Sequence, residues 1–447
     1  MRTEHDSQDL PEHDLPSEDA KTAPLPVVLR DDLRIFWLLW ADRSVGSSRV
    51  NGYRPHEYLA SHRFRSVLLL APSRLVPDIP WEDKEHWKVA KLVGSGIVVL
   101  QKIGGPRTEH LIRVLRETGA TTVYVPSDSY PVIHAPFLCD VIVCDSKKVI
   151  EFYRKGGAEN LIYIPDPLDF WCKRSEIARR PPRARGLRIC WHGSRDRWNE
   201  FLPVREILRE PEFADMELVT VSDYPDADVK FSIKALRNAM RKCDVGIVPV
   251  GHWAGREYKP SFRVVQFMAA GVPVIAERIP SYEEVITHGQ TGYFAESKDD
   301  YRIALRALRN PETRLQIATR AYDLVRKDYP LEVTGQKWLE LFNSLLAKKP
   351  AAQVRRADLA SEASLLNDLL IRAKLRHGIE AFNHFRYIHA AKDFTTASAR
   401  LILHPALFRD YLIPFSRAAS RAEYLISRRI LRRFARVTGR RQRVWKK

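Results

Sequence analysis

The stretch Lys259–Phe294, KPSFRVVQFMAAGVPVIAERIPSYEEVITHGQTGYF, sets the architecture of this chain. Its first part has the spacing of a short helix that opens on Lys259, Ser261 and Arg263 and closes at Gly271. The apolar run VPVIAE then reads as a buried strand and SYEEVITHG as a second helix. Short apolar strands alternating with helices imply a parallel sheet covered on both faces. A helix that begins among basic and hydroxyl side chains offers unpaired backbone N–H groups, a positive dipole end and fixed cations together. That combination suits an anion of the phosphate class.

The same alternation extends on both sides. Strands are expected in LRICWHGS (187–194), MELVTVSD (216–223) and VGIVPV (245–250), with a helix in IKALRNAMRKC (233–243) and three further helices ending near residue 348. Before these, KRSEIARRPPRARG (173–186) breaks the pattern with charge and proline and reads as a linker. The first half repeats the theme with strands in LRIFWLLW (33–40), RSVLLLAP (65–72), GIVVLQKI (96–103), TTVYVPS (121–127), DVIVCDS (140–146) and LIYIPDP (161–167). Helices are expected in YRPHEYLASH, TEHLIRVLRETG and KKVIEFYRKGG. The expected fold class is α/β, with two Rossmann-like doubly wound domains, 32–172 and 187–348, facing a cleft at the carboxyl ends of their strands. Residues 1–31 are acidic and without periodicity, as in disordered segments.

The net charge of +18 sits mostly in residues 351–447, where 21 basic residues face 7 acidic ones, so the charge of the two-domain body is close to ordinary. Within this extension Phe415, Ala419, Ala422, Ile426, Ile430, Phe434 and Val437 recur at helical steps, with Arg417, Arg421, Arg428, Arg432 and Arg436 on another face. Such a basic amphipathic helix, entered after Pro414, suits an anionic membrane surface reached through residues 409–447; packing on the body is the other reading. Nucleic acid is not an expected partner, because interleaved stacking aromatics are sparse. No run approaches membrane-spanning length and no signal core opens the chain. The expected location is cytoplasmic, peripheral at the inner face of the membrane. Five cysteines without a CxxC pair imply reduced core thiols rather than zinc or disulfides.

The order KCDVGIVPV, KPSFRVVQFMAAGVPVIA and SYEEVITHGQTGYF resembles the nucleotide-sugar-binding half of GT-B fold glycosyltransferases of the glycosyl transferases group 1 class. The resemblance covers about 187–346 well, and the first domain more loosely through GSSRVNGYRPHEYLA. It implies transfer of a sugar from a nucleotide-sugar donor to a saccharide or lipid-linked acceptor. The family's Glu-seven residues-Glu motif, whose second glutamate holds the ribose and whose first lies toward the sugar, falls on Gln266 and Tyr258. Both carboxylates are replaced, although a glutamine amide can still bond a pair of hydroxyls. Glu284 matches a further family glutamate, with a helix-start carboxylate as its other reading. In WHGSRDRWN, Gly193 ends a strand where backbone can approach a phosphate, with His192, Arg195 and Arg197 beside it.

The chemistry asks for cations. Glycosyl transfer develops positive charge on the sugar and negative charge on the departing diphosphate. No Asp-x-Asp element stands in a plausible loop, so the expectation is metal-independent transfer, without a cofactor. Lys259 and Arg263 then steady the leaving group and Ser261 donates to it. The loop Gly46, Ser47, Ser48 and Arg49 is expected to line the acceptor or phosphate region, an ordinary polar loop being the alternative. Asp128, with Ser129 and Tyr130, ends a first-domain strand where an acceptor-activating base would stand. Two competing readings keep the fold: an epimerase or phosphorylase acting on a sugar nucleotide, and a non-catalytic binding or scaffold protein.

Overall fold

The computed structural model describes residues 34–347 apart from 63, 73, 74, 129–133, 181, 253 and 254. The acidic segment 1–31, the extension 349–447 with its amphipathic stretch, and Ser129 and Tyr130 lie outside the described residues.

Six strands build the first sheet: β1 Arg34–Leu39, β2 Arg65–Leu70, β3 Ile97–Gln101, β4 Thr121–Val125, β5 Val141–Cys144 and β6 Leu161–Tyr163. Their order is β2-β1-β3-β4-β5-β6, and every neighbouring pair is parallel. The second sheet contains β7 Arg188–His192, β8 Glu217–Ser222, β9 Val229–Lys230, β10 Val245–Val248, β11 Val274–Ala276 and β12 Tyr293–Phe294. Its order, β12-β11-β10-β7-β8-β9, is also parallel throughout. Apolar side chains fill both faces: Ile35 and Trp37 belong to one core of the first domain and Phe36 and Leu38 to another. Direction reverses between β1 and β3 in one sheet and between β7 and β10 in the other. Loops splay apart at these two points and leave crevices at the carboxyl edge, where open α/β sheets bind ligands.

The division into halves is bridged twice. Between β6 and the second domain the chain runs through Pro165-Asp166-Pro167-Leu168-Asp169, and Arg174–Ala178 inside the charged 173–186 segment is a short helix. Its Ile177 packs with Cys172, Ala318 and Tyr322. Gly271, at φ 66°, ends the helix Phe262–Ala269, and a Cβ there would stand 2.6 Å from Ile177 Cγ1. The last described helix, Leu331–Ala347, follows the second domain in sequence, yet its apolar face packs on the first. Trp338 meets Trp37 edge-on at 5.5 Å, and Gly335 admits the Tyr58 ring where any Cβ would collide. The sequence division at 187–348 therefore lends its final helix to the other domain's core. Where the two crossings meet, Leu168 N donates to the Tyr329 carbonyl at 3.3 Å.

Local differences from the sequence reading have plain causes. SYEEVITHG is helical only over Pro280–Glu283, because Thr287 N turns back to the Thr291 hydroxyl at 2.8 Å and closes a loop. Asp83–Val93 is a helix that the sequence reading did not include. All five cysteines are free thiols, four of them buried. Among the described residues no helix is long and apolar enough to cross a membrane.

Candidate active site

The carboxyl edges of the two sheets meet across a cluster of charged groups. After β3, Lys102 adopts φ 57° and lies over the Trp40 ring at 4.5 Å. Its ammonium pairs with Asp128 Oδ1, at the end of β4. From the second domain Lys259 pairs with the other oxygen of Asp128, so one carboxylate joins both halves. Burial alone would raise the Asp128 pKa, but the two ammonium groups outweigh it and hold the carboxyl well below its ordinary range. Burial lowers the Lys259 ammonium from its ordinary value, against the pull of Asp128.

Arg263 closes the second switch point. Its guanidinium donates to the His192 carbonyl at 3.4 Å after β7, to the Pro249 carbonyl at 3.1 Å after β10, and to Glu200 at 3.1 Å. Glu200 also receives Arg197 Nη1 at 3.0 Å, and Arg197 is close enough to depress Lys259. Lys102, Arg197, Lys259 and Arg263 thus share two carboxylate partners, Asp128 and Glu200, so the basic groups outnumber the acids they pair with. Beside them begins the helix Phe262–Ala269, whose N-terminal Ser261 makes no side-chain cap bond. Instead the Ser261 hydroxyl lies 3.4 Å from the Tyr329 hydroxyl. Uncapped first-turn amides beside a surplus of basic groups are the arrangement that favours an anion.

Other expected donor-side residues have definite places. His192 is buried against Phe267 at 5.3 Å, with Nε2 unpartnered among the described residues. Desolvation, helped by Arg263, lowers its pKa to about 3, so the ring is neutral. Gln266 is 2% exposed and its Oε1 has no partner among the described residues. Gly193 makes room for the Trp191 ring, which a Cβ would approach to 2.6 Å. Arg195 turns to the loop after β8, its backbone N–H donating to Asp223 at 2.7 Å and its guanidinium to the Asp223 carbonyl. Arg197, two residues on, faces the cation cluster instead. Glu284 Oε1 accepts the Lys147 N–H at 3.0 Å, at the start of the first-domain helix Lys147–Lys155. Desolvation raises its pKa. Tyr258 packs edge-on against Phe152 of that same helix at 5.3 Å. At the two positions where the family resemblance places a sugar-side carboxylate and a further glutamate, this chain makes contacts between its halves.

The loop Gly46–Arg49 is knitted into the first domain. Ser47 Oγ accepts Trp40 Nε1 at 3.2 Å and Ser48 Oγ donates to Gln101 Oε1 at 3.2 Å. Arg49 gives Asp169 a bidentate pair, both bonds 2.8 Å, with side-chain exposures of 8% and 0%. Gly46 begins the turn that aims Arg49.

Sequence reasoning did not single out Lys102, Asn51, Asp145, Asp166 or Glu200. Asn51 Nδ2 donates to Ser127 Oγ at 2.9 Å. Asp145 follows β5 and Asp166 follows β6, both buried, and neither Asp145 oxygen has a partner among the described residues. Burial, then the neighbouring Asp166 and Asp128, raises Asp145 well above its ordinary value. Burial likewise pushes Asp166 up to about 7, against a hydrogen bond from Asn51. The signal was present: VPSD, VCDS and IPDP each put an aspartate just past the end of an apolar strand, where a parallel sheet gathers its loops. Among the described residues, the one His/Cys/Asp/Glu group with donor atoms close enough for an ion is Asp83, His86 and His110, on outer helices rather than in this cluster.

Comparisons with known proteins agree with this architecture. Residues 174–340 match the model of a family described as glycosyl transferase-like. A glycosyltransferase from Rickettsia africae superposes with a TM-score of 0.55 at 12% identity, covering 71% of this chain and 99% of that one. Anabaena Alr3699/HepE, solved with UDP, gives 0.51 at 12% identity, over 70% of this chain and all of that one. Sucrose-phosphate synthase from Thermosynechococcus elongatus gives 0.51 at 12%, over 71% and 100%. The chain spans 57% of the length of TarM, matched at a TM-score of 0.45 and 11% identity. No curated protein sequence matches. The GT-B fold is shown, and the resemblance drawn from the sequence is borne out for it and for the second domain.

Proposed function

We propose that this GT-B chain, with its glycosyl transferase-like second domain, moves a sugar from a nucleotide-sugar donor to an acceptor hydroxyl. The observation that carries the reading is the Lys259–Arg263 segment: it faces inward, at the switch point of the second sheet, with excess positive charge around an uncapped helix start. HepE, which shares the fold, is described with UDP-glucose bound. In the step proposed, the acceptor oxygen bonds to the anomeric carbon as the bond from that carbon to the phosphate oxygen breaks. The electron pair stays on the diphosphate. Lys259 and the first-turn amides steady the developing charge without a metal ion, while Arg263 fixes the ends of β7 and β10 beneath it.

Asp128, held ionised by two lysines, is a weak proton acceptor, and the acceptor's proton passes to the departing phosphate oxygen. The role we assign Asp128 is to occupy and position Lys259 until the diphosphate replaces it. Gln266, with its free carbonyl, is our candidate for the ribose, and neutral His192 lines the donor side. A non-catalytic reading is favoured by one observation, the use of Tyr258 for contact between the halves in place of a sugar-side carboxylate. We further propose a saccharide or lipid-linked acceptor, presented at an anionic membrane surface by residues 409–447. The test is release of nucleoside diphosphate from a panel of sugar nucleotides, with and without acceptors. Binding of a donor with no turnover over any acceptor would reject transfer in favour of the non-catalytic reading.

A further inference from the structure

The helices Asp83–Val93 and Pro106–Glu117 lie side by side on the first domain and both begin at the carboxyl edge of its sheet, after β2 and β3. Three donor atoms converge between them. His86 Nδ1 lies 3.0 Å from His110 Nδ1, His110 Nδ1 lies 2.9 Å from Asp83 Oδ1, and His86 Nδ1 lies 3.8 Å from that same oxygen. A triangle with these sides has its centre about 1.9 Å from every corner, close to the 2.0–2.2 Å of zinc–imidazole and zinc–carboxylate bonds.

Hydrogen bonding accounts poorly for this arrangement. An imidazole nitrogen has one in-plane orbital, holding either a proton or a lone pair, yet His110 Nδ1 faces two partners within 3.0 Å. One proton cannot point along both lines. A cation lying among them would instead have one donor atom from each of the three side chains within reach. Helix capping does not claim Asp83 either, because Glu82 and Glu85 already form the reciprocal capping box of its helix. His86, fully buried, has its Nε2 without a hydrogen-bond partner among the described residues as well.

We propose that Asp83, His86 and His110 bind a divalent transition-metal ion of the zinc class. Imidazole and carboxylate donors in this ratio suit zinc better than the hard cations that prefer oxygen alone. Three protein ligands leave a fourth position, and since Asp83 is 79% exposed and His110 39%, that position opens to solvent. The bound ion ties the two helices together at the end of the sheet that faces the cleft. It takes water or an anionic oxygen as its fourth ligand. The inference does not depend on the transfer reaction, which needs no metal in the step above.

The test uses the full-length chain without a polyhistidine tag, stripped with chelator and dialysed. Zn²⁺ alone is titrated in competition with a chromogenic chelator, and Co²⁺ is added separately to read its visible ligand-field spectrum. Because the chain holds 14 histidines, the readout is the difference from variants rather than binding as such. His110→Ala and Asp83→Asn, both at exposed positions, are chosen over changes to the buried His86. The expected result is one equivalent of Zn²⁺ bound by the parent and lost in His110→Ala, with affinity reduced at least about tenfold in Asp83→Asn. The Co²⁺ spectrum should change in parallel. Equal stoichiometry and affinity in the parent and in His110→Ala would overturn the proposal, as would a parent that binds no Zn²⁺.

Discussion

Lys259 has two partners to choose between, and paired substitutions separate them. If its ammonium serves the donor diphosphate, Lys259→Ala and Asp128→Asn should act in opposite directions on nucleotide binding. Removing the lysine takes away a charge-assisted contact with about 1.5–3 kcal/mol, or about 10- to 150-fold in the Kd of a nucleoside diphosphate. Removing the Asp128 charge frees both Lys259 and Lys102, so binding should hold or tighten. Folding should tolerate either change: after Lys259→Ala, Asp128 keeps Lys102, and after Asp128→Asn, Lys102 keeps the Trp40 face. The assay is calorimetric titration with a nucleoside diphosphate, beside turnover of a sugar nucleotide. Turnover should fall further than binding in Lys259→Ala, on the order of 10²–10³-fold, if the contact strengthens as the diphosphate departs. A pairing that only latches the halves predicts the same effect from both variants. Equal losses, or unchanged binding in Lys259→Ala, would refute the diphosphate role.

Other consequences are as definite. Arg49→Ala leaves the buried Asp169 carboxylate, among the described residues, with the distant Arg54 guanidinium at 3.9 Å as its remaining cation, and should cost about 3–5 kcal/mol in urea unfolding; a cost under about 1 kcal/mol would return Arg49 to the substrate loop. Asp166, raised to about 7 in the folded state, binds more protons there than in the unfolded chain. Its contribution to stability is therefore full at acid pH and declines as pH rises toward 7, and Asp166→Asn should remove that part of the slope in melting temperature against pH. Asp128, held low, works oppositely: its pairing stabilises above about pH 4 and is lost as the solution becomes acidic. Tyr258→Ala combined with Glu284→Ala removes an aromatic contact of about 0.5–1.5 kcal/mol and a hydrogen bond of similar size. Small-angle scattering should then report a larger radius of gyration; no change would mean these contacts do not hold the halves closed.

The fold was legible because buried parallel strands are continuous apolar runs: RIFWLL, IVVLQ and TTVYV stand out without any neighbour's help. Two-residue β9 and β12 carry no period to read. The helix Asp83–Val93 was hidden because half of EDKEHWKVAKLV is charged, with an apolar stripe narrow enough to pass for a loop. The site was legible where one segment supplies it, as with Lys259 and Arg263 at a helix start. It was opaque where function depends on pairing across the chain: Glu284 meets the Lys147 N–H from 137 positions away, and no local pattern foretells it. Arg49 shows the same limit, since a basic residue in a polar loop carries no mark of the buried carboxylate that claims it.

The hydrogen bond from Leu168 to the Tyr329 carbonyl has a mechanical meaning. The backbone leaves one half and re-enters it side by side, so the halves are hung like a door on paired pins rather than a single thread. Paired pins permit swinging and resist twisting. On the proposed reading, Lys259 and Asp128 part along one arc as a donor enters the gap and return to the same register when it leaves.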